Sequence, residues 1–168
     1  SPHSLDKTIK ESLKNYETTK GKFDLYIPFI ERPKHFLNNA GILTYICPTR
    51  FLQRDYGKNL RKFVLKDYRI KQIIDFSDIQ IFENATTYTG VFIFENSNTS
   101  TKYTFVVKQP KKSEESINKQ ELLQKKVSNE FIDVTSFDST ILQNEVWIFN
   151  NNQLSPLIST IKLNTGTL

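Results

Sequence analysis

Cysteine, histidine and glycine are scarce in this sequence, and each shortage removes a class of chemistry. The one cysteine, Cys47, cannot close an internal disulfide. It lies in the apolar run GILTYICP, where a small buried hydrophobe is the expected role. A structural zinc site needs several Cys or His ligands, and His3 and His35 are the two histidines present, so metal chemistry is disfavoured. The five glycines form no Gly-x-Gly-x-x-Gly or phosphate-loop pattern able to cradle a nucleotide. There is no Ser–His–Asp or Cys–His signature, no His-Glu-x-x-His helix and no Pro-Asp followed by Glu-x-Lys. Taken alone, the chain has no visible catalytic apparatus. Long hydrophobic runs are missing as well. None approaches the roughly 18–20 residues needed to span a bilayer, and the N-terminal SPHSLDKTIKESLK lacks the apolar core of a signal peptide. The expectation is a cytoplasmic protein with no membrane partner.

What is present is enough for a globular fold. The length of 168 residues suits one ordinary domain, and 13 Phe, 7 Tyr and one Trp supply large areas to bury. The balance of 23 basic to 18 acidic residues, with an isoelectric point near 9.2, is compatible with a polyanionic partner without requiring one.

Along the chain, Leu5, Ile9, Leu13 and Tyr16 recur at near-helical spacing and predict a short amphipathic helix. DLYIPFIERPKHFLNN places Leu25, Phe29, Phe36 and Leu37 on one helical face, with Asp24 as N-cap. Pro28 and Pro33 predict a kink or an N-terminal turn there, because an interior proline costs about 3 kcal/mol. GILTYICP reads as a strand buried on both faces of a parallel sheet. FLQRDYGKNLRKFVLKDY carries Leu52, Tyr56, Leu60, Phe63 and Val64 at three- and four-residue intervals and predicts an amphipathic helix. RIKQIIDF, at 69–76, is a second strand, and the alternation of helix and strand argues for a layered α/β domain. Beyond a polar loop at 77–87, YTGVFIFE and KYTFVVKQ read as a hairpin joined by NSNTST. Residues 109–130 form a charged linker or solvated helix, and FIDVTSF and EVWIFNN restore apolar content.

Three ordered blocks, DLYIPFIE, GILTYICPTRFL and IIDFSDIQIFENATTYTGVFIF, resemble the N6-adenine-specific DNA methyltransferases of the TaqI-like and type IIG restriction-modification systems. The resemblance covers about residues 20–96. It implies a partial Rossmann-like methyltransferase sheet of the α/β class, mixed parallel and antiparallel, with a β-rich tail. On the family's plan 41–47 is the fifth strand, 70–76 the sixth and 88–94 the seventh, which turns back antiparallel between two parallel neighbours. The implied activity is methyl transfer from S-adenosylmethionine to the N6 amino group of adenine in double-stranded DNA.

The resemblance implies two site residues. Phe82 occupies the place of the aromatic that stacks on an adenine flipped out of the duplex, as an enzyme working on a buried base requires. By pattern alone it reads as a core residue ending a strand. Phe29 would line the pocket for the adenine ring of the cofactor, and by pattern alone it packs helix on sheet. Among the basic residues Arg50, Arg54, Lys58, Arg61, Lys62 and Lys66, most read as a solvated helix face. Arg50, Arg54 and Lys58 are the candidate contacts to DNA phosphates. Thr86 and Thr87 read as turn residues that hydrogen-bond the backbone.

The family's Asn-Pro-Pro-Tyr motif and its glycine-containing cofactor loop occur nowhere in the chain, so no catalytic residue is assigned. The expected organisation is an N-terminal polar, helical segment at 1–20 and the C-terminal half of a methyltransferase domain at 21–108. The linker at 109–130 and a β-containing connector at 131–168, leading towards a target-recognition domain, complete it. The chain thus reads as an inactive fragment whose partners are DNA, the missing N-terminal half and the target-recognition domain. The edge of strand 41–47 is expected to be covered by the N-terminal segment or by another copy of the chain. The alternative reading is a non-catalytic α/β module that binds nucleic acid or protein.

Overall fold

The computed structural model describes residues 6–83, 88–97, 101–111, 118–142 and 146–149. His3, Leu5, Thr86, Thr87 and the tail from 150 lie outside the described residues.

Helix α1, Lys7–Leu13, starts where the Asp6 side chain accepts the Thr8 N–H at 2.8 Å. That supplies one of the orphan donors of a first turn. A 3-10 turn, Glu17–Thr19, follows. Both its leading N–H groups donate to the buried Glu31 carboxylate, Glu17 at 2.9 Å and Thr18 at 2.8 Å. Helix α2 is a single turn, Pro28–Glu31, with proline at its start where no N–H is needed. Pro33 then tightens the chain into a 3-10 turn, Arg32–His35, so the prolines shorten this helix as expected. They also rotate its buried face. Ile27 and Ile30 are fully buried, whereas Phe29 and Phe36 are 55% and 70% exposed. The expected apolar face through Leu25, Phe29, Phe36 and Leu37 presupposes one continuous helix, which does not form.

The sheet is built from β1 (Ile42–Pro48), β2 (Tyr68–Asp75), β3 (Thr89–Asn96), β4 (Thr104–Pro110) and β5 (Ile132–Asp138), in the order β1-β3-β2-β4-β5. β3 is antiparallel to both β1 and β2, so those two run parallel with a reversed strand between them. This is the mixed arrangement expected of strands five, six and seven. β4 joins β2 in parallel and β5 closes the far edge antiparallel to β4.

Two strand expectations are corrected. β3 and β4 are not a hairpin, because β2 lies between them. β2 takes β3 on one side and β4 on the other. Nor is β1 buried on both faces of a parallel sheet. It stands at the edge, its one neighbour is antiparallel, and Ile42, Thr44 and Ile46 are exposed along one face. Among the described residues nothing pairs with its outer edge. Among the described residues, the Glu17–Thr19 turn of the N-terminal segment packs on α2 and α3 and no N-terminal residue pairs with this edge.

On one face of the sheet, Phe51, Phe92, Phe94, Leu60, Val64 and Ile73 form the main core with Ile27 and Ile30. Phe51 meets Phe92 at 5.0 Å and Phe94 stacks on Tyr68 at 5.6 Å between ring centres. The opposite face is covered around Ile74 and Ile132 by Phe76 and by Leu122 of helix α4, Lys119–Gln124. This helix lies inside the charged stretch 109–130.

Helix α3 is Lys58–Asp67, preceded by 3-10 turns at Thr49–Leu52 and Asp55–Gly57. It buries Leu60, Phe63 and Val64, the expected spacing, and also Arg61. Arg61 is therefore not part of a solvated face. Its guanidinium donates to the carbonyls of Phe51 at 2.5 Å and Arg54 at 3.0 Å in the irregular turns before the helix, the latter oxygen also accepting the Gly57 N–H at 3.0 Å. Among the described residues no helix is long and apolar enough to cross a membrane.

Candidate functional site at the strand ends

Because β1 and β2 are parallel, their carboxyl ends reach the same rim, where β3 begins. Pro48 is opposite Thr89, and Asp75 is opposite Gly90. Such rims of α/β sheets are where ligands bind. The exits are tied to β3 by Thr49 N–H donating to the Tyr88 carbonyl at 2.9 Å and Phe76 N–H to the Thr89 carbonyl at 3.0 Å. Gly90 permits this close approach, since a Cβ there would stand 2.7 Å from Thr49 Cγ2.

Beyond β2 the chain turns sharply. The Asp75 carboxylate accepts the Ser77 N–H at 2.8 Å, and Ser77 adopts φ 52°, a left-handed conformation that disfavours a non-glycine residue. Ile79 and Ile81 then pack against the second core cluster. Gln80 Nε2 donates to the carbonyls of Phe82 and Glu83, both at 3.0 Å. Phe82 belongs to neither core cluster and is 48% exposed. The segment is thus anchored by alternate apolar side chains while one aromatic ring remains half in solvent.

Beyond β1, the Thr49–Leu52 turn brings the Arg50 guanidinium to 5.7 Å from the centre of the Tyr88 ring, within cation–π range. Two cavities adjoin at Arg50 and Arg54. One of about 390 Å³ lies between the strand exits, among Thr49, Gln53, Asp75, Ser77 and Tyr88. The other, about 610 Å³, is lined by Arg50, Arg54 and Lys58 together with Lys20, Lys22 and Tyr56. The three expected basic residues are therefore brought together, whereas Phe29 and Phe82 line neither cavity. Tyr56 shares a 3.2 Å hydroxyl contact with Tyr26, whose ionisation burial strongly opposes. Cys47 is buried and its thiol is pushed up in pKa by that burial, in keeping with an inert role. Among the described residues no cluster of His, Cys, Asp or Glu could hold a metal ion.

Sequence reasoning missed Asp75, Tyr88, Lys20 and Lys22. The one local signal was Lys20-Gly21-Lys22, a glycine between two cations, which reads as a turn. Burial raises the Asp75 carboxyl above the usual range, partly offset by the Ser77 N–H. An acid whose folded pKa is raised contributes stability fully below its ordinary pKa and loses it as pH rises through the folded value. Asp75→Asn keeps the acceptor for Ser77 and removes the charge. We expect it to melt higher than the parent at pH 7, by about 2–4 °C per kcal/mol released. The gain should shrink as pH falls through the raised folded value and vanish below the ordinary carboxylate value, in melting curves recorded across pH.

Residues 2–82 match the family model described as "Eco57I restriction-modification methylase". The chain is 37% identical over 94 residues to the Type II methyltransferase M.BstVI of Geobacillus stearothermophilus, covering 55% of this chain and 17% of that protein. It is 37% identical over 99 residues to the Type II restriction enzyme and methyltransferase RM.Eco57I of Escherichia coli, covering 59% of this chain and 10% of that protein. The chain therefore spans a small part of the length of these curated relatives. In fold it is similar to the type IIG restriction endonuclease BpuSI, with a TM-score of 0.60 and 16% identity over 83% of this chain and 18% of that one.

Proposed function

From the premise that residues 2–82 carry the restriction-modification methylase match, we propose that this chain is part of an adenine-specific DNA methyltransferase. The full polypeptide moves a methyl group from S-adenosylmethionine to the N6 amino group of adenine in duplex DNA. The observation that carries this reading is the half-exposed Phe82, held on an anchored loop at the carboxyl-end rim of two parallel strands that flank a reversed one. A base drawn out of a duplex loses its stacking, and an aromatic face restores it.

The cofactor, when bound, supplies the electrophilic methyl group. Phe29 suits its adenine ring: its side chain is more than half exposed on a turn whose neighbours Ile27 and Ile30 are fixed in the core. It therefore offers a rigidly placed π surface at little ordering cost. Arg50, Arg54 and Lys58 take DNA phosphates at the basic cavity. The chain holds no Asn-Pro-Pro-Tyr motif to bind the target amino group. Transfer therefore requires residues outside it, and the chain alone is inactive. The open edge of β1 accepts a further strand, from the same polypeptide or from a second copy.

The test is incorporation of a tritiated methyl group into a mixed-sequence duplex by the longer polypeptide that contains this chain, followed by nucleoside analysis. N6-methyladenine is expected from that polypeptide, with no label from the 168-residue chain by itself. Label in methylcytosine, or none from the longer protein, would overturn the reading.

A further inference from the structure

The Lys20-Gly21-Lys22 turn has no place in the methyl-transfer chemistry, yet it is built with care. Gly21 has φ 85° and nothing within 4 Å of where a Cβ would stand, so glycine serves the backbone turn and not close packing. The turn is fastened on its N-terminal side. Asn59 Nδ2, at the start of α3, donates to the Lys20 carbonyl at 2.8 Å. Just before it, the Thr19 hydroxyl donates to the Leu13 carbonyl at 2.5 Å, and the Glu31 carboxylate holds the N–H groups of Glu17 and Thr18. Lys20 and Lys22 are both exposed and both line the 610 Å³ cavity, facing Arg50, Arg54 and Lys58 contributed by other segments. Asp55 is the one acidic side chain in that lining. Five cations against one acid, from segments fixed to each other by hydrogen bonds, make a preformed positive cleft and not a loosely solvated face.

We infer that the Lys20–Gly21–Lys22 turn is one jaw of a clamp on the phosphodiester backbone of duplex DNA, with Arg50 and Arg54 as the other. This rests on the DNA-methyltransferase reading and extends it to two residues outside the base and cofactor pockets. The cleft adjoins the strand-exit cavity through Arg50 and Arg54, so a strand gripped there runs next to the rim that carries the Phe82 loop. Phosphate contacts of this kind set position and register and carry no base information.

The test is anisotropy of a fluorescein-labelled DNA duplex, titrated over a potassium chloride series with the intact protein. Each neutralised phosphate contributes about 0.9 to the slope of log affinity against log salt. Lys20→Ala/Lys22→Ala is expected to lower that slope by about 2, so that the parent loses roughly tenfold more affinity than the variant between about 50 and 200 mM salt. Lys20→Arg/Lys22→Arg should keep the parent slope. Lys7→Ala/Lys14→Ala, which removes the same charge from exposed positions outside the cleft, should also keep it. Both lysines are exposed, so melting curves should coincide with the parent. An unchanged slope in the Lys20/Lys22 variant, or an equal drop in the Lys7/Lys14 variant, would overturn the clamp. If Arg50→Ala still lowers the slope in either case, the DNA reading survives that loss. Absence of salt-dependent duplex binding by the unsubstituted protein would overturn both.

Discussion

Phe82→Ala is expected to weaken capture of an extruded adenine by roughly five- to 150-fold, the equivalent of the 1–3 kcal/mol that a base–aromatic stack contributes. The physical basis is that this ring is free to act. It belongs to neither core cluster, while Ile79 and Ile81 hold its segment to the sheet and Gln80 caps the Phe82 and Glu83 carbonyls. Loss of the ring should therefore leave the loop in place, and melting should shift little, within about 0.5 kcal/mol as for other exposed positions. A duplex with 2-aminopurine at the target adenine reports extrusion directly by its fluorescence, and calorimetry reports cofactor binding separately. The variant should lose the first signal and keep the second. Phe82→Trp should keep both, since the larger ring offers at least as much stacking surface. Unchanged fluorescence and methylation in Phe82→Ala would remove this residue from the base site.

Among the described glycines, Gly57→Ala is expected to be the most destabilising methyl addition. A Cβ at this position would overlap the Phe51 carbonyl oxygen and stand 2.7 Å from both the Phe51 carbonyl carbon and Cα. All three are backbone atoms, so no rotamer change can relieve the collision. That same carbonyl accepts the buried Arg61 guanidinium, and Phe51 itself is at the centre of the main core against Phe92. Displacing it disturbs packing and a charge-assisted hydrogen bond together. The cost should be about 3 kcal/mol or more, which lowers the melting temperature by roughly 6–12 °C in a domain of this size. The effect should also reach function, because the turn at 49–52 carries Arg50 and positions Trp147, whose N–H donates to the Leu52 carbonyl at 2.8 Å. Gly57→Ala with an unaltered melting curve would show that the turn before α3 is more yielding than its geometry implies. Gly21→Ala makes the useful contrast. It meets no atoms, so its cost should be confined to the left-handed backbone, about 1 kcal/mol.

The sequence by itself determined the first four strand segments and a helix within 51–68, of which the structure makes Lys58–Asp67 regular α-helix and the start 3-10 turns. These depend on local periodicity: alternating Phe92 and Phe94 in β3, and Leu60, Phe63 and Val64 at helical spacing in α3. The ordered family blocks added the reversal of β3, which the pairing reproduces. Only the tertiary structure decided which strands are neighbours. KYTFVVKQ follows YTGVFIFE in the chain and has every mark of its hairpin partner, but β2 takes the place between them, a choice made by long-range packing and not by turn chemistry. The same limit explains Phe29 and Arg61. Helical spacing places a phenylalanine inward and an arginine outward, whereas a proline-shortened turn exposes the first and the carbonyls of Phe51 and Arg54 draw in the second. It also explains the cleft. Lys20 and Lys22 are remote in sequence from Arg50 and Arg54, and Asn59 and Glu31 hold the turn that brings them to one cavity. Charge composition reveals that cations are present; only folding determines that five of them share one cavity.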